Sequence, residues 1–275
     1  FMNLLVTGGA GYIGSHFILE ALSKGHEVIA LDNLANSEEK TIDRIKEISN
    51  KEFQFHQIDL IDKQKLEKVI TENEIDIVVH FAALKSVPES MIDPLKYYHN
   101  NINGSLSLLE IMIKRGINKI IFSSSASVYG TNHISPIKEN VSLEPINPYA
   151  STKVMIEKIL EDLILCIKGF KALNLRYFNP VGCHDSILLG ESTSIKPTNL
   201  FPVLCSVAKE KKDKLNIFGN DYDTHDGTPV RDYIHITDLV DGHIKGIDWI
   251  LKDKNKYQSI NLGTGVGFSV LDVVT

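Results

Sequence analysis

Tyr149 and Lys153 lie four residues apart in Tyr149-Ala150-Ser151-Thr152-Lys153. On a helix that spacing puts a phenol and an ammonium on one face, one turn apart. A free tyrosine ionises at about pH 10. A neighbouring positive charge favours its phenolate, which can then act as a general base near neutral pH. The same spacing also arises by accident, as an exposed aromatic beside a solvated lysine, so the surrounding sequence has to decide. Ser123-Ser124-Ser125-Ala126-Ser127 ends an apolar run. A hydroxyl there can hydrogen-bond a reacting oxygen. Ser125 is the choice, because it leaves the strand at the carboxyl edge where ligands bind in open parallel sheets. The other serines read as a polar turn.

A phosphate cradle stands far upstream. Thr7-Gly8-Gly9-Ala10-Gly11-Tyr12-Ile13-Gly14 follows an apolar strand and opens a helix. Gly8 suits the tight turn, Gly11 a close backbone approach to a pyrophosphate, and Gly14 close helix–sheet packing. The helix N-terminus adds N–H donors and partial positive charge. Asp32 ends the second strand about 20 residues further on, where a ribose-binding acid belongs. Its charge repels a 2′-phosphate, and Asn33-Leu34-Ala35-Asn36 contains no arginine, so NAD is favoured over NADP. Asp59-Leu60 can hold an adenine, though an ordinary strand-end turn explains the pair as well. With a dinucleotide site upstream, Tyr149 and Lys153 gain their chemical reading. A bound oxidised nicotinamide also favours the phenolate, and Lys153 can bond the nicotinamide ribose.

The elements that must position these residues alternate. Strands are expected at 3–7, 27–32, 53–58, 76–81, 119–123 and 172–177, with helices between them, including 12–24 (ended by Gly25) and 37–48 (capped by Ser37). This pattern predicts an α/β, doubly wound parallel sheet of Rossmann type. A long helix runs from 149 to about 168. Beyond Asn179-Pro180 the periodicity weakens, and 182–232 reads as a smaller irregular lobe, with late strands at 233–236 and 259–262. The expected division is an NAD-binding domain at 1–180, partly rejoined by 233–262, and a substrate-binding lobe at 181–232 and 263–275.

Of the 275 residues 43% are hydrophobic and the formal net charge is −6. There is no basic block, which argues against nucleic-acid binding. Cys166, Cys183 and Cys205 are widely spaced and suggest neither a disulfide framework nor a metal site. No apolar run reaches membrane-spanning length. The strand at Asn3 leaves no room for a signal peptide, so a cytoplasmic location is expected.

Longer stretches carry a resemblance: 6–16 (VTGGAGYIGSH), 31–33 (LDN), 80–85 (HFAALK), 97–103 (YYHNNIN), 122–130 (FSSSASVYG), 175–182 (LRYFNPVG), 217–221 (IFGND) and 226–235 (DGTPVRDYIH). Together they resemble the extended short-chain dehydrogenases that act on nucleotide sugars, and among them the UDP-glucose (UDP-galactose) 4-epimerases. The resemblance implies reversible C4 epimerisation of UDP-galactose and UDP-glucose through a 4-keto sugar, with tightly held NAD. It implies Tyr149 as base with Lys153 and Ser125 as partners. It implies an NAD site lined by Tyr12, Ile13, Asp32, Asn33, Asp59, Leu60, Phe81, Ala82, Lys85, Asn100 and Phe178. Tyr177, Asn179, Asn199, Leu200, Asn216, Phe218 and Arg231 would hold the UDP-sugar. Arg231 is a forked donor suited to a diphosphate; an ion pair with Asp232 is the plainer alternative. Phe218 could pack near a uracil.

Related dehydratases carry acids after the catalytic Ser or Thr. Here those positions are Ala126 and Ser127, which disfavours elimination. The resemblance also implies a C-terminal portion beyond Val270–Thr275, with a further arginine and part of the sugar wall, so the lobe is expected to be truncated. Two alternatives follow: a 4-epimerase of a UDP-N-acetylhexosamine, UDP-uronate or UDP-pentose, and a non-catalytic NAD-binding regulator. A homodimer is implied by the resemblance, through helices near 94–115 and 149–168, although Leu106, Leu109 and Ile113 could be core instead.

Overall fold

Short runs of Val, Ile, Leu and Phe, each followed by an amphipathic helix, build a layered α/β fold in the computed structural model, which describes residues 1–191 and 199–275. The first half runs β1 (Asn3–Thr7), α1 (Tyr12–Ser23), β2 (Glu27–Asp32), α2 (Lys40–Ser49), β3 (Gln54–Gln57), α3 (Lys63–Glu72), β4 (Ile77–His80), α4 (Val87–Ile92), α5 (Pro94–Tyr97), a π-helical stretch (Tyr98–Asn103), α6 (Gly104–Lys114) and β5 (Lys119–Ser125). After a single 3-10 turn at Ala126–Tyr129 come α7 (Pro148–Cys166), β6 (Lys171–Tyr177), β7 (Asn179–Val181), α8 (Leu200–Ala208), β8 (Val230–His235), α9 (Ile236–Lys252), β9 (Tyr257–Leu262), β10 (Gly267–Ser269) and α10 (Val270–Val274).

Seven strands form one parallel sheet in the order β3-β2-β1-β4-β5-β6-β9. This is the doubly wound Rossmann arrangement. Alternation along each strand feeds two cores. Leu4 and Val6 join Phe17, Val79, Leu175 and Leu239 on one face. Leu5 joins Val78, Leu108, Met112, Ile156 and Leu160 on the other. Each such fully buried side chain contributes about 1.5–3 kcal/mol of hydrophobic stabilisation, so both faces hold the sheet that carries the site.

Several local expectations are corrected. The second helix begins at Lys40, not Ser37. The Ser37 hydroxyl instead donates to Asp32 Oδ1 at 2.8 Å, because a strand-end carboxylate competes for the hydroxyl that would cap the helix. The helix expected across 94–115 is interrupted by the π-helical stretch at Tyr98–Asn103. Within it Leu109 is buried in the core, while Leu106 and Ile113 are half-buried. The segment 182–232 is not wholly irregular. It holds α8, whose run LFPVLCSVA is apolar except for Ser206 and so shows no clear helical period. β7, β8 and β10 form a small separate sheet in the order β10-β8-β7, β8 antiparallel to β10 and parallel to β7. No helix among the described residues is long and apolar enough to cross a membrane.

Candidate active site

The carboxyl ends of the parallel strands open onto one cleft of about 2580 Å³. β5 delivers Ser125 as its last residue, and α7 delivers Tyr149 and Lys153 from its first two turns. α7 starts sharply: Asn147 caps it by accepting from the Ala150 N–H at 2.9 Å, with Pro148 at its first position. Ser125, Tyr149 and Lys153 all line the cleft.

The electrostatics differ from a simple lysine-beside-tyrosine pair. Lys153 is 3% exposed and donates to the Ser123 carbonyl oxygen at 2.7 Å. Its Nζ lies 4.8 Å from the centre of the Phe122 ring and 5.8 Å from that of Tyr149. Burial lowers its pKa from 10.5 to about 7, with Glu157 pulling the other way. Burial raises the Tyr149 phenol above its ordinary value, and the Ser125 hydroxyl opposes that rise. These surroundings alone keep the phenol protonated at neutral pH. The Ser127 hydroxyl and N–H both donate to Ser125 Oγ, at 2.9 and 3.2 Å, which orients that oxygen at the strand end.

The glycine loop fits a dinucleotide. Gly8 has φ +72°, which favours glycine. A Cβ on Gly14 would stand 2.2 Å from the Gly8 carbonyl oxygen, so helix and loop approach as only glycine allows. α1 has no side-chain cap, and Gly11, Tyr12, Ile13 and Gly14 line the cleft, leaving the helix start free for an anion. Asp32 Oδ2 accepts from the Ala10 N–H at 3.0 Å, and its Oδ1 accepts from the Leu34 N–H at 2.9 Å. Asn33 donates to Asp59 Oδ2 at 2.9 Å. Leu60, Phe81, Ala82, Lys85, Asn100 and Phe178 continue the same wall.

The opposite wall comes from the smaller lobe. Asn179 opens β7 and donates to the Asp232 carbonyl oxygen at 3.0 Å. Asn199 and Leu200 stand at the start of α8, and the exposed Asn216 and Phe218 follow it in the chain. Arg231, on β8, is exposed and donates to the Val230 carbonyl oxygen. Asp232 instead accepts from the Thr264 hydroxyl and from the Thr264 and Gly265 N–H groups, so the surface ion pair between Arg231 and Asp232 does not form. Tyr177, the last residue of β6, also lines the cleft. It is 8% exposed, and its hydroxyl is engaged with that of Ser123, beside Tyr149 in the floor of the cleft.

Glu191 escaped sequence reasoning. Glu191 Oε1 accepts from Lys85 Nζ at 3.2 Å and from Asn199 Nδ2 at 3.1 Å, bridging the two walls. No local motif marks it. Among the described residues one possible metal-ligating group comes together, His225, Asp226 and Asp272. Its carboxylates already hold Thr228 and the Ser269 N–H.

The pattern of the NAD dependent epimerase/dehydratase family matches residues 4–263. The chain is 50% identical over 273 residues to a UDP-glucose 4-epimerase of Bacillus subtilis, covering 99% of this chain and 80% of that protein. It is similar to the crystal structure of UDP-glucose 4-epimerase from Bifidobacterium longum in complex with NAD+ and UDP, with a TM-score of 0.95 and 46% identity, over 98% of this chain and 81% of that one. It is also similar to the UDP-Glc/GlcNAc 4-epimerase of Campylobacter jejuni, with a TM-score of 0.85 and 40% identity, over 100% of this chain and 82% of that one.

Proposed function

The chain belongs to the NAD dependent epimerase/dehydratase family, and from that premise we propose that it interconverts UDP-galactose and UDP-glucose at sugar C4 with NAD as a retained cofactor. The observation that carries this is the meeting of Ser125, Tyr149 and Lys153 along the same cleft as the glycine loop. The relatives at 50% and 46% identity bear the matching name.

The Gly8–Gly14 loop, Asp32 and Asp59 would hold NAD, which would supply the acceptor and later the donor of a hydride at C4. With the nicotinamide cation and the Lys153 ammonium favouring its phenolate, Tyr149 would take the proton of the C4 hydroxyl and return it once the sugar presents its other face. Ser125 hydrogen-bonds the C4 oxygen and steadies it as its charge changes. Lys153 holds the end of β5 against α7 and sets the field around the phenol. Tyr177, Asn179, Asn199, Leu200, Asn216, Phe218 and Arg231 keep the UDP-sugar anchored while the 4-keto hexose turns, so that the intermediate does not escape. Ala126 and Ser127 offer no acid to expel a neighbouring hydroxyl, which leaves simple removal and return of hydrogen.

The residues thus divide into an NAD-binding part, 1–180 with 233–262, and a substrate lobe, 181–232 with 263–275. A coupled assay on UDP-galactose tests the reaction, and a chain that gives no UDP-glucose overturns it. A second reading, a UDP-N-acetylhexosamine as preferred substrate, is favoured by the Campylobacter jejuni likeness and is tested by comparing kcat/KM on UDP-N-acetylglucosamine.

We also infer a homodimer in the cytoplasm. α4, α5 and α7 expose Met91, Ile92, Leu95, Met155 and Leu165, an apolar surface that a second copy would cover. Light scattering that gives the mass of one chain at micromolar concentration would exclude the dimer, and cell fractionation checks the compartment.

A further inference from the structure

Tyr149, Lys153 and Glu157 follow at four-residue intervals along α7, so phenol, ammonium and carboxylate share one helix face. Glu157 is 2% exposed and is fixed from two strands. Arg176 of β6 donates through Nε to its Oε1 at 2.9 Å and through Nη2 to its Oε2 at 2.5 Å. Ser124 of β5 donates to Oε1 at 2.5 Å. Arg176 continues to Tyr129 Oη and to the Glu139 carbonyl oxygen, at 3.0 and 3.1 Å. A buried ion pair is a poor source of stability, since apolar residues of similar volume often serve as well. What an apolar replacement for Glu157 would lack is a negative charge one turn from Lys153.

We propose that Glu157, held by Arg176 and Ser124 one helical turn from Lys153, is a positioning residue that keeps the Lys153 ammonium charged beside Tyr149. This rests on the roles assigned above to Tyr149 and Lys153. The groups around Lys153 are few. Its own helix gives Tyr149 and Glu157, β5 gives the Ser123 carbonyl and the Phe122 ring, and β4 gives His80. β6 brings Tyr177 beside Tyr149. Glu157 is faced by Arg176, by Ser124, and by Tyr257 of β9, whose hydroxyl donates to the Glu157 carbonyl at 3.3 Å. His80 stays neutral, because burial first and the Lys153 charge second hold its pKa at about 3. Burial raises the Tyr177 and Tyr257 phenols, so both are neutral. Among the described residues Glu157 is the carboxylate whose charge reaches Lys153, and it opposes the burial that drives the ammonium towards pH 7.

The test is a carbon-13 NMR titration of the full chain labelled at the lysine ε carbon, with the Lys153 signal identified by its loss in Lys153→Met. In Glu157→Gln the Lys153 pKa falls by about one unit or more. In Ser124→Ala, which removes a hydrogen bond but keeps the charge, it stays within about 0.3 unit. With substrate, the alkaline limb of kcat in Glu157→Gln moves to lower pH by the same interval, while KM for UDP-galactose changes less than about twofold. A Lys153 pKa in Glu157→Gln that matches the wild-type value overturns the proposal. If Glu157→Gln does not fold, the double variant Glu157→Gln/Arg176→Met is titrated against Arg176→Met alone, so that the guanidinium is missing from both; a lower Lys153 pKa in the double variant is expected and equal values are equally decisive. The titration needs no turnover, so a wild-type chain inert on UDP-galactose would sink the proposed reaction and leave the Glu157 result standing.

Discussion

The Lys153 ammonium donates to the Ser123 carbonyl oxygen at 2.7 Å, two residues before Ser125 on the same strand. One hydrogen bond thus ties the helix bearing the phenol to the strand bearing the serine. Lys153→Met should lower kcat by roughly 10²–10³-fold. It should also stabilise the fold near neutral pH. The folded pKa lies near 7, well below that of the unfolded lysine, so between those values the unfolded state binds more protons and stability rises with pH. Urea unfolding should therefore show the gain at pH 7 and its loss towards pH 10. A variant less stable at pH 7 and no better at lower pH would contradict the burial penalty.

Tyr149→Phe removes the proton acceptor without altering the ring's bulk. A fall in kcat of about 10²–10⁴-fold is expected, with affinity for UDP within about twofold of wild type by calorimetry. Retention of most activity would take Tyr149 out of the chemistry.

Gly14→Ala places a methyl group 2.2 Å from the Gly8 carbonyl oxygen. Backbone must move to admit it, at a cost of about 1–3 kcal/mol. The purified variant should carry much less NAD, read from its absorbance after denaturation, and should melt at a lower temperature. Wild-type NAD content would show that the loop does not cradle the cofactor.

Glu191 competes for Lys85 with any anion in the cleft. The Lys85 side chain is 46% exposed and the pair spans 3.2 Å, so its strength is modest. Glu191→Gln should tighten UDP binding at low salt by no more than about fivefold, and the gain should vanish near 1 M salt. Weaker binding at low salt would mean that the bridge to Asn199 matters more than the charge.

Acid should unfold the chain through three buried imidazoles. His80, His16 and His243 have pKa values lowered by burial to about 3, 4 and 4. Each binds its proton more readily when unfolded. Stability is therefore kept above the unfolded value of 6.5 and falls as pH drops towards the folded values, by about 1.4 kcal/mol per unit for each histidine. His243→Phe should flatten the fall between about pH 6 and 4 by that amount. The same slope in variant and wild type would assign acid unfolding to other groups.

The parallel sheet was legible because strand and helix periods alternate cleanly from Asn3 to Tyr177, and the order of its strands follows from crossover handedness. The glycine loop and the pair Tyr149 and Lys153 were visible because each is local in sequence. What escaped is long-range. Glu191 meets Lys85 across more than a hundred residues. Arg176 and Glu157 meet between strand and helix. Ser37 looked like a cap because capping is judged from neighbours, whereas its partner Asp32 belongs to the preceding strand.

Asp32 has three tethers besides any sugar: the Ala10 N–H, the Leu34 N–H and the Ser37 hydroxyl. On the proposed reading, in which Asp32 also meets the adenine ribose, cofactor preference and loop shape are vested in a single side chain. Retargeting the protein towards a phosphorylated dinucleotide by cutting that residue down would slacken the pyrophosphate turn in the same stroke. An engineer would need to supply replacement anchors for the loop before any gain in selectivity could appear.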